Sequence, residues 1–403
     1  MEWKEVRLGD VCNIITGFPF SGKKYSKEGI RVVRGDNVTI GNLRWDTEKD
    51  KRWNEPFDKT EYYSLQANDI VIGMDGSRVG KNKARIKEED LPLLLAQRVA
   101  CVRHNELAEQ DYLYYNIFSK KFIDYVNSIH TGSAIPHISQ KQIGDYMILL
   151  PDLETQRRIA SILSSLDRKI ELNNKINADL EEMAQVIFKN WFVDFEPFKD
   201  GKFVDSELGM IPEGWKVISL SEIMKYNGGS QPPASEFIDT YQEGYIRFIQ
   251  IRDYDNDSHI TYIPISKRNK LCDELDIMIA RYGAALGRIC WGLKGAYNVA
   301  LAKVIPIKSY YREYLRCYLN TSYFYQSINN KGARCAQSGF NQSDINSYMI
   351  AFPIDETVVM NFNDLCSSIM DKRLSLKYEN SRLSLLRDTL LPRLMSGELE
   401  VPE

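Results

Sequence analysis

Two textures alternate along the chain. Short apolar runs such as DIVIG at 69–73 and VACV at 99–102, broken by glycine, proline, asparagine and aspartate, fill the first 150 residues and return after 200, as strands joined by turns would. Between them, Ile159, Ile162, Leu166, Ile170, Leu180, Met183 and Ile187 recur at spacings of three and four with charges interposed. That spacing predicts one apolar stripe along a helix, with Pro151 at its start rather than inside it. Leu365, Ile369, Leu376, Leu383, Leu386 and Leu390 repeat the stripe 203 positions after Ile162, Leu166, Asn173, Leu180, Met183 and Ile187. The pattern predicts an α+β chain in four parts: globular units at 1–151 and 201–353, and long helical units at 152–200 and 354–403.

The globular parts are also written twice. WKEVRLGDV at 3–11 returns as WKVISLSEI at 215–223, and DIVIGMDGSRVGK at 69–81 returns as DIMIARYGAALGR at 276–288. The second pair matches Asp69, Gly76, Gly80 and Lys81 to Asp276, Gly283, Gly287 and Arg288. A period near 200 residues is too long for a solenoid, so this is a tandem duplication, a pseudo-dimer in one chain suited to a target with two halves. A continuous helix over 155–192 would be about 57 Å long. Two such helices bury their stripes against each other or against a partner, and the order of parts makes mutual pairing antiparallel, with the globular units at opposite ends of a spacer. Asn177 and Asn380 fall at matching positions near the stripes, where a buried amide would fix register.

Composition narrows the classes. With 43% hydrophobic residues in 403, the chain can hold two cores of ordinary domain size. No apolar run reaches the ~18 residues of a membrane span, and MEWKEVRLGD lacks the apolar core of a signal peptide, so a cytoplasmic protein is expected. The seven cysteines are scattered, with neither CxxC nor a Cys/His pair at ligand spacing, which points away from disulfides and metal. Split by part, the net charge is +1 and +2 on the globular units and −3 on each helical unit. Any anion-facing surface therefore belongs to the globular units.

The joint WFVDFEPFKDGKFVDSELGMIPEGWKV (191–217), the C-terminal LLPRLMSGELEVP (390–402) and the helix entry LPDLETQRRIASILSSLDRKI (150–170) resemble the specificity (S) subunit of type I restriction-modification systems. The resemblance covers essentially the whole chain. It implies two mixed α/β target-recognition domains related by internal duplication and joined by two long antiparallel coiled-coil-like helices. Each domain would read one half of a bipartite site in double-stranded DNA. Two methyltransferase (M) subunits and the restriction-translocase (R) subunits would assemble around it. The chain itself would be non-catalytic and cofactor-free, with S-adenosylmethionine, ATP and Mg on the partner subunits only.

Residue chemistry suggests which loops would touch DNA: Arg and Lys suit guanine or phosphate, Asn and Gln adenine, Asp cytosine. In the first unit the candidates are Lys23 and Lys24; Arg34, Asp36 and Asn37; Arg78, Lys81 and Lys83; and Ser133, His137 and Lys141. Matching loops of the second offer Gln231, Gln250, Arg252, Arg281, Arg288, Arg334, Asn341 and Gln342. On the helical units, Gln156, Arg157 and Arg158 with Glu181 and Glu182 are candidates for docking a methyltransferase subunit. Val358, Val359 and Met360 stand where the second copy would repeat Gln156, Arg157 and Arg158, so two docking sites would not be equivalent.

Other motifs fail on chemistry. GSRVGK at 76–81 has three residues between its glycines and Asn82 after the lysine, where a phosphate loop needs four and a hydroxyl. Neither a base-methylation motif nor a glycine-rich turn for S-adenosylmethionine is present. Without the resemblance, an architectural DNA binder and a protein-interaction scaffold would fit the residues as well.

Overall fold

A computed structural model of the protein describes residues 3–56, 58–129, 136–332 and 342–401, the last residues of one short helix (331, 332) and the first of the next (342, 343) by backbone alone. The chain divides into two compact units, Met1–Ile170 with Arg382–Glu403, and Glu171–Ser381. One boundary falls inside the helix Leu153–Phe192 and the other inside the helix Thr357–Met395, so each unit holds part of both long helices.

In the first unit Cys12–Thr16, Val99–His104, Ile70–Gly73, Lys83–Arg85 and Ile40–Gly41 form a five-stranded sheet in that order. A smaller sheet pairs Ile30–Val33 antiparallel with Arg52–Trp53 and parallel with Leu93–Leu95. Lys4–Arg7 closes on Met147–Leu150. The second unit repeats these pairings: Met224–Gly228, Leu301–Pro306, Ile277–Ala280 and Ile289–Cys290 form one sheet. Tyr245–Ile249 lies antiparallel to Tyr262–Pro264 and parallel to Gly295–Tyr297, and Trp215–Ser219 closes on Met349–Pro353. Two helices follow Val99–His104 in one unit, Gln110–Phe118 and Lys120–Ile129, and two follow Leu301–Pro306 in the other, Arg312–Leu319 and Ser322–Gly332.

The glycine spacing has a steric cause. A Cβ on Gly17 would lie 2.1 Å from Ala96 O, and one on Gly229 would lie 2.0 Å from Asn298 O, so both units need a bare backbone where two strands touch. Gly80 and Gly287 adopt φ 78° and 82° and face Val126 and Ile328, which a Cβ would meet at 2.8 and 2.7 Å. The repeated aspartates tie strands together. Asp69 takes Arg103 Nη2 at 2.6 Å, and Asp276 takes Lys303 Nζ at 3.1 Å.

Within each unit the two long-helix segments run antiparallel. In the first, Arg387 Nη1 donates to Asp167 Oδ1 at 2.8 Å, while Ile159 and Leu163 share a cluster with Leu394, Tyr112 and Tyr115. In the second, Arg373 pairs with Glu181, and Phe188 and Phe192 pack against Phe362, Tyr314 and Trp215. The buried face differs from the simple stripe. Ile159, Leu163, Asn173, Ala184 and Phe188 are buried, whereas Met183, Leu365 and Leu386 are about half exposed. Each segment packs on a globular part as well as on the opposite helix, which rotates and widens the buried face beyond a coiled-coil seam. The register amide also moves. Asn173, wholly buried, donates to Asn380, while Asn177 keeps a buried Oδ1 without a partner.

The described cysteines are free and buried, and burial alone pushes the Cys12 thiol up to about 12. Among the described residues no helix is long and apolar enough to cross a membrane, and no group of three or more His, Cys, Asp or Glu side chains could hold a metal ion.

Candidate nucleic-acid interface

In the first unit, strand ends and turns enclose an open cleft of about 640 Å³. The turn Gly35–Asn37 after Ile30–Val33 supplies Arg34 and Asp36, the turn after Ile70–Gly73 supplies Asp75 and Arg78, and the link into Val99–His104 supplies Gln97 and Arg98. Arg44, Asn82 and Tyr25 complete it. Four arginines against two aspartates leave an excess of positive charge over the opening, and guanidinium, amide and carboxamide groups there can donate to phosphate oxygens or base edges. Lys49 Nζ occupies Asp36 Oδ2 at 3.3 Å, which lowers the negative charge further.

Local structure holds the cations. Arg34 caps the turn Gly35–Asn37, with its guanidinium carbon 5.7 Å from the centroid of Tyr25 and its Nε buried without a hydrogen-bond partner. Burial pushes the Tyr25 phenol up, opposed by Arg34, so the ring stays neutral beside the cation. His137 pairs with Asp75 in an isolated antiparallel bridge, and Pro136 O accepts from Gly76 N at 3.1 Å. The 136–138 segment therefore braces the loop that carries Arg78.

The structure sorts the residues chosen from sequence. Arg34, Asp36 and Arg78 line the cleft, with His137 beside it. Lys23, Lys24, Lys81 and Lys141 are exposed on nearby turns or the helix Gln140–Gly144, Lys24 being paired with Glu55 at 2.8 Å. Two residues are withdrawn from solvent. Asn37 is buried, accepts from Arg34 N and donates to Arg44 O and Lys49 O, so its amide holds the turn. Lys83 is buried under Phe118 and Phe122 and donates to Gly80 O at 2.9 Å; burial lowers it to about 7. Ser133 lies outside the described residues.

In the second unit Arg281 lies 5.8 and 5.0 Å from the ring centroids of Tyr226 and Tyr282, donates to Val299 O at 3.4 Å and keeps a buried Nε without a partner. Gln231 and Arg252 are exposed, and Gln250 caps the turn Ile251–Tyr254 as Arg34 caps its own. Arg288 is spoken for by Asp255 at 2.7 Å, a contact that also raises its pKa. Arg334 and Asn341 lie outside the described residues, as does the side chain of Gln342, whose backbone opens the helix Gln342–Asn346.

The helix residues chosen for docking are largely engaged within the chain. Gln156 is buried, accepting from Glu109 N and donating to Pro151 O and Leu107 O. Arg157 pairs with Glu109, Arg158 with Glu154, and Glu181 with Arg373 and Asn320. Glu182 is exposed. Sequence spacing shows only the pair Glu154 and Arg158, four residues apart on one helix; the partners of Gln156, Arg157 and Glu181 lie on other elements.

Residues 97 and 98, with Arg44 and Tyr25, escaped the sequence reading. Their signal was the polar pair Gln97–Arg98 wedged between LPLLLA and VACV, a turn between two strand-like runs. A second cleft, of about 880 Å³, is a poorer anion site: Asp58 and Glu61 line it, and its Arg103 is bound to Asp69.

Comparison with known proteins adds a family. A model described as the type I restriction modification DNA specificity domain matches residues 1–182 and again 212–373. The type I restriction enzyme MjaIX specificity subunit of Methanocaldococcus jannaschii is 30% identical over 310 residues, covering 73% of this chain and 70% of that one. The HindI specificity subunit of Haemophilus influenzae is 24% identical over 99% of this chain and 100% of its own. Among solved structures, the S subunit of a type I restriction-modification system from M. genitalium superposes with a TM-score of 0.61 at 15% identity, covering 98% of this chain and 96% of that one, a likeness of fold.

Proposed function

This chain belongs to the type I restriction-modification DNA specificity family, and from that premise we propose that its two units read the two halves of one bipartite site in double-stranded DNA. Specificity subunits recognise DNA and are not themselves catalytic. The finer reading rests above all on the cleft of the first unit, where Arg34, Arg78 and Arg98 share one opening with Gln97 and Asn82. Such a surface supplies both terms that DNA recognition needs: cations for phosphates and forked or paired donors for base edges.

The internal duplication gives two readers of one design, each with cations at its turns, Arg34 and Arg98 in one unit and Arg281 in the other. The paired helices set the gap between half-sites. Their register is held by Asn173 with Asn380 and by Arg373 with Glu181. Methyltransferase subunits dock on helix positions the fold leaves exposed, including Glu182, Met183 and Val186 in the second unit and Leu385 and Leu386 in the first. Restriction-translocase subunits join that core. S-adenosylmethionine, ATP and Mg act on those partners, and the assembly works in the cytoplasm beside the DNA.

Exchange of one reader tests the modular part of this reading. A chain whose residues 203–352 are replaced by the corresponding unit of a relative, expressed with the cognate methyltransferase subunit, is expected to methylate a motif changed in one half only. Simultaneous change of both halves contradicts it.

A further inference from the structure

The hydrogen bond from Met74 N to Arg98 O, 2.9 Å, recurs in the second unit as Arg281 N to Ala300 O, also 2.9 Å. Neighbouring rungs agree, since Ile72 faces Ala100 where Ile279 faces Ala302. Met74 thus corresponds to Arg281, and Arg98 to Ala300. Each unit carries one arginine at this rung, on opposite chains of it. Simple divergence of a shared residue does not produce that arrangement, because neither position keeps its side chain between copies. The recurring feature is an arginine at one backbone rung of the fold.

Backbone geometry adds an independent sign. Arg98 adopts φ 70°, in the left-handed region that a residue with a Cβ enters at a cost, whereas Ala300 has no such angle. Arg98 belongs to the turn in which Val99 N donates to Ala96 O at 3.3 Å, while its side chain is 66% exposed and its nearest ion contact, to Asp75, is 3.9 Å, which leaves the guanidinium open to a ligand. On the other side, Arg281 is framed by Tyr226 and Tyr282 and donates to Val299 O only across 3.4 Å, a cation held still by its neighbours. Rigid aim matters little for a phosphate contact, but it decides bidentate reading of a guanine edge.

We propose that Arg98 and Arg281 are the corresponding base-reading cations of the two units, each contacting a guanine at the equivalent position of its half-site. The assignment rests on the bipartite reading above.

The test is the methylome of a host lacking other adenine and cytosine methylation, expressing the cognate methyltransferase subunit with the full chain or with R98G, R98Q or R281Q. Both Arg98 variants are expected to extend methylation to sites that differ at one base pair of one half, with discrimination at that pair falling roughly ten- to hundredfold. R281Q is expected to do the same in the other half. Glycine accepts φ 70° freely, so the R98G protein should melt no lower than the unchanged chain, which separates lost reading from lost folding. An unaltered motif from a folded R98G protein, an even decline at all sites as for a phosphate contact, or both arginines acting in the same half would overturn the assignment. An unchanged chain that yields a bipartite motif untouched by either substitution removes this assignment alone; one that yields a continuous motif removes the bipartite reading with it.

Discussion

Asn173 Nδ2 donates to Asn380 Oδ1 across 2.9 Å and to Glu379 Oε2 across 3.0 Å, from a position that solvent does not reach. Asn380 in turn donates to Asn174 Oδ1 at 2.8 Å. A buried amide accepted in only one alignment penalises every slipped alignment, since slippage leaves its donors unpaired in an apolar setting.

Asn173→Ala should therefore destabilise the fold by about 1–3 kcal/mol in denaturant unfolding. Asn380→Ala added to it should cost less than the two single losses combined, with a coupling of at least ~0.5 kcal/mol. Strict additivity would show that the two amides do not act as a pair.

Lys83 makes stability depend on pH. Burial lowers it from 10.5 to about 7 in the folded protein. Above about 10.5 it is neutral folded or unfolded and adds no penalty. As pH falls toward 7 the unfolded chain binds the proton first, and the fold loses about 1.4 kcal/mol per pH unit until the penalty levels off below the folded value. Lys83→Met should raise the unfolding free energy at neutral pH by a few kcal/mol, on the order of the pKa displacement, and flatten its rise between pH 7 and 10. A parallel pH profile in the variant would contradict the burial.

Gly80→Ala and Gly287→Ala test the repeated close approach. Each adds a left-handed penalty of about 1–2 kcal/mol and a clash with Val126 or Ile328 of about 1–3 kcal/mol. Thermal unfolding should register both losses. Gly76→Ala, with φ 98° but open space around its Cβ, should lose only the first.

Those glycines also mark how far the sequence was legible. Gly76, Gly80 and the tandem DIxI runs disclosed two related units because turns and strand contacts restrict residue type locally. The helices were legible as helices, but their buried face was not. Periodicity reports one stripe, whereas Ile159, Leu163 and Phe188 answer to two neighbours at once. At the cleft, Arg34 and Arg78 could be picked from loop composition, while Asn37, Lys83 and Gln156 looked equally available until the fold buried them. Lys83 lies beneath rings 35 and 39 residues further along the chain, Phe118 and Phe122, a juxtaposition that no local pattern encodes. The turn that carries Arg98 was visible as a polar pair between two apolar runs, but its rung with Met74, matched by Arg281 and Ala300, is a pairing that only the fold displays.

Lys81 is exposed on the turn that follows Arg78 and should act as a phosphate contact rather than a reader. Lys81→Ala in the assembled methyltransferase should weaken binding to all sequences alike and reduce the slope of log affinity against log salt by about one. A change in the recognised motif would instead make Lys81 a reader of bases.

Single-molecule methylome sequencing of cells that express this chain with its cognate methyltransferase subunit tests the central claim most directly. Two specific half-sites of different sequence, separated by a non-specific gap of constant length, are the expected result. A single uninterrupted motif, or half-sites methylated at variable spacing, would contradict the account of two readers held in register by paired helices.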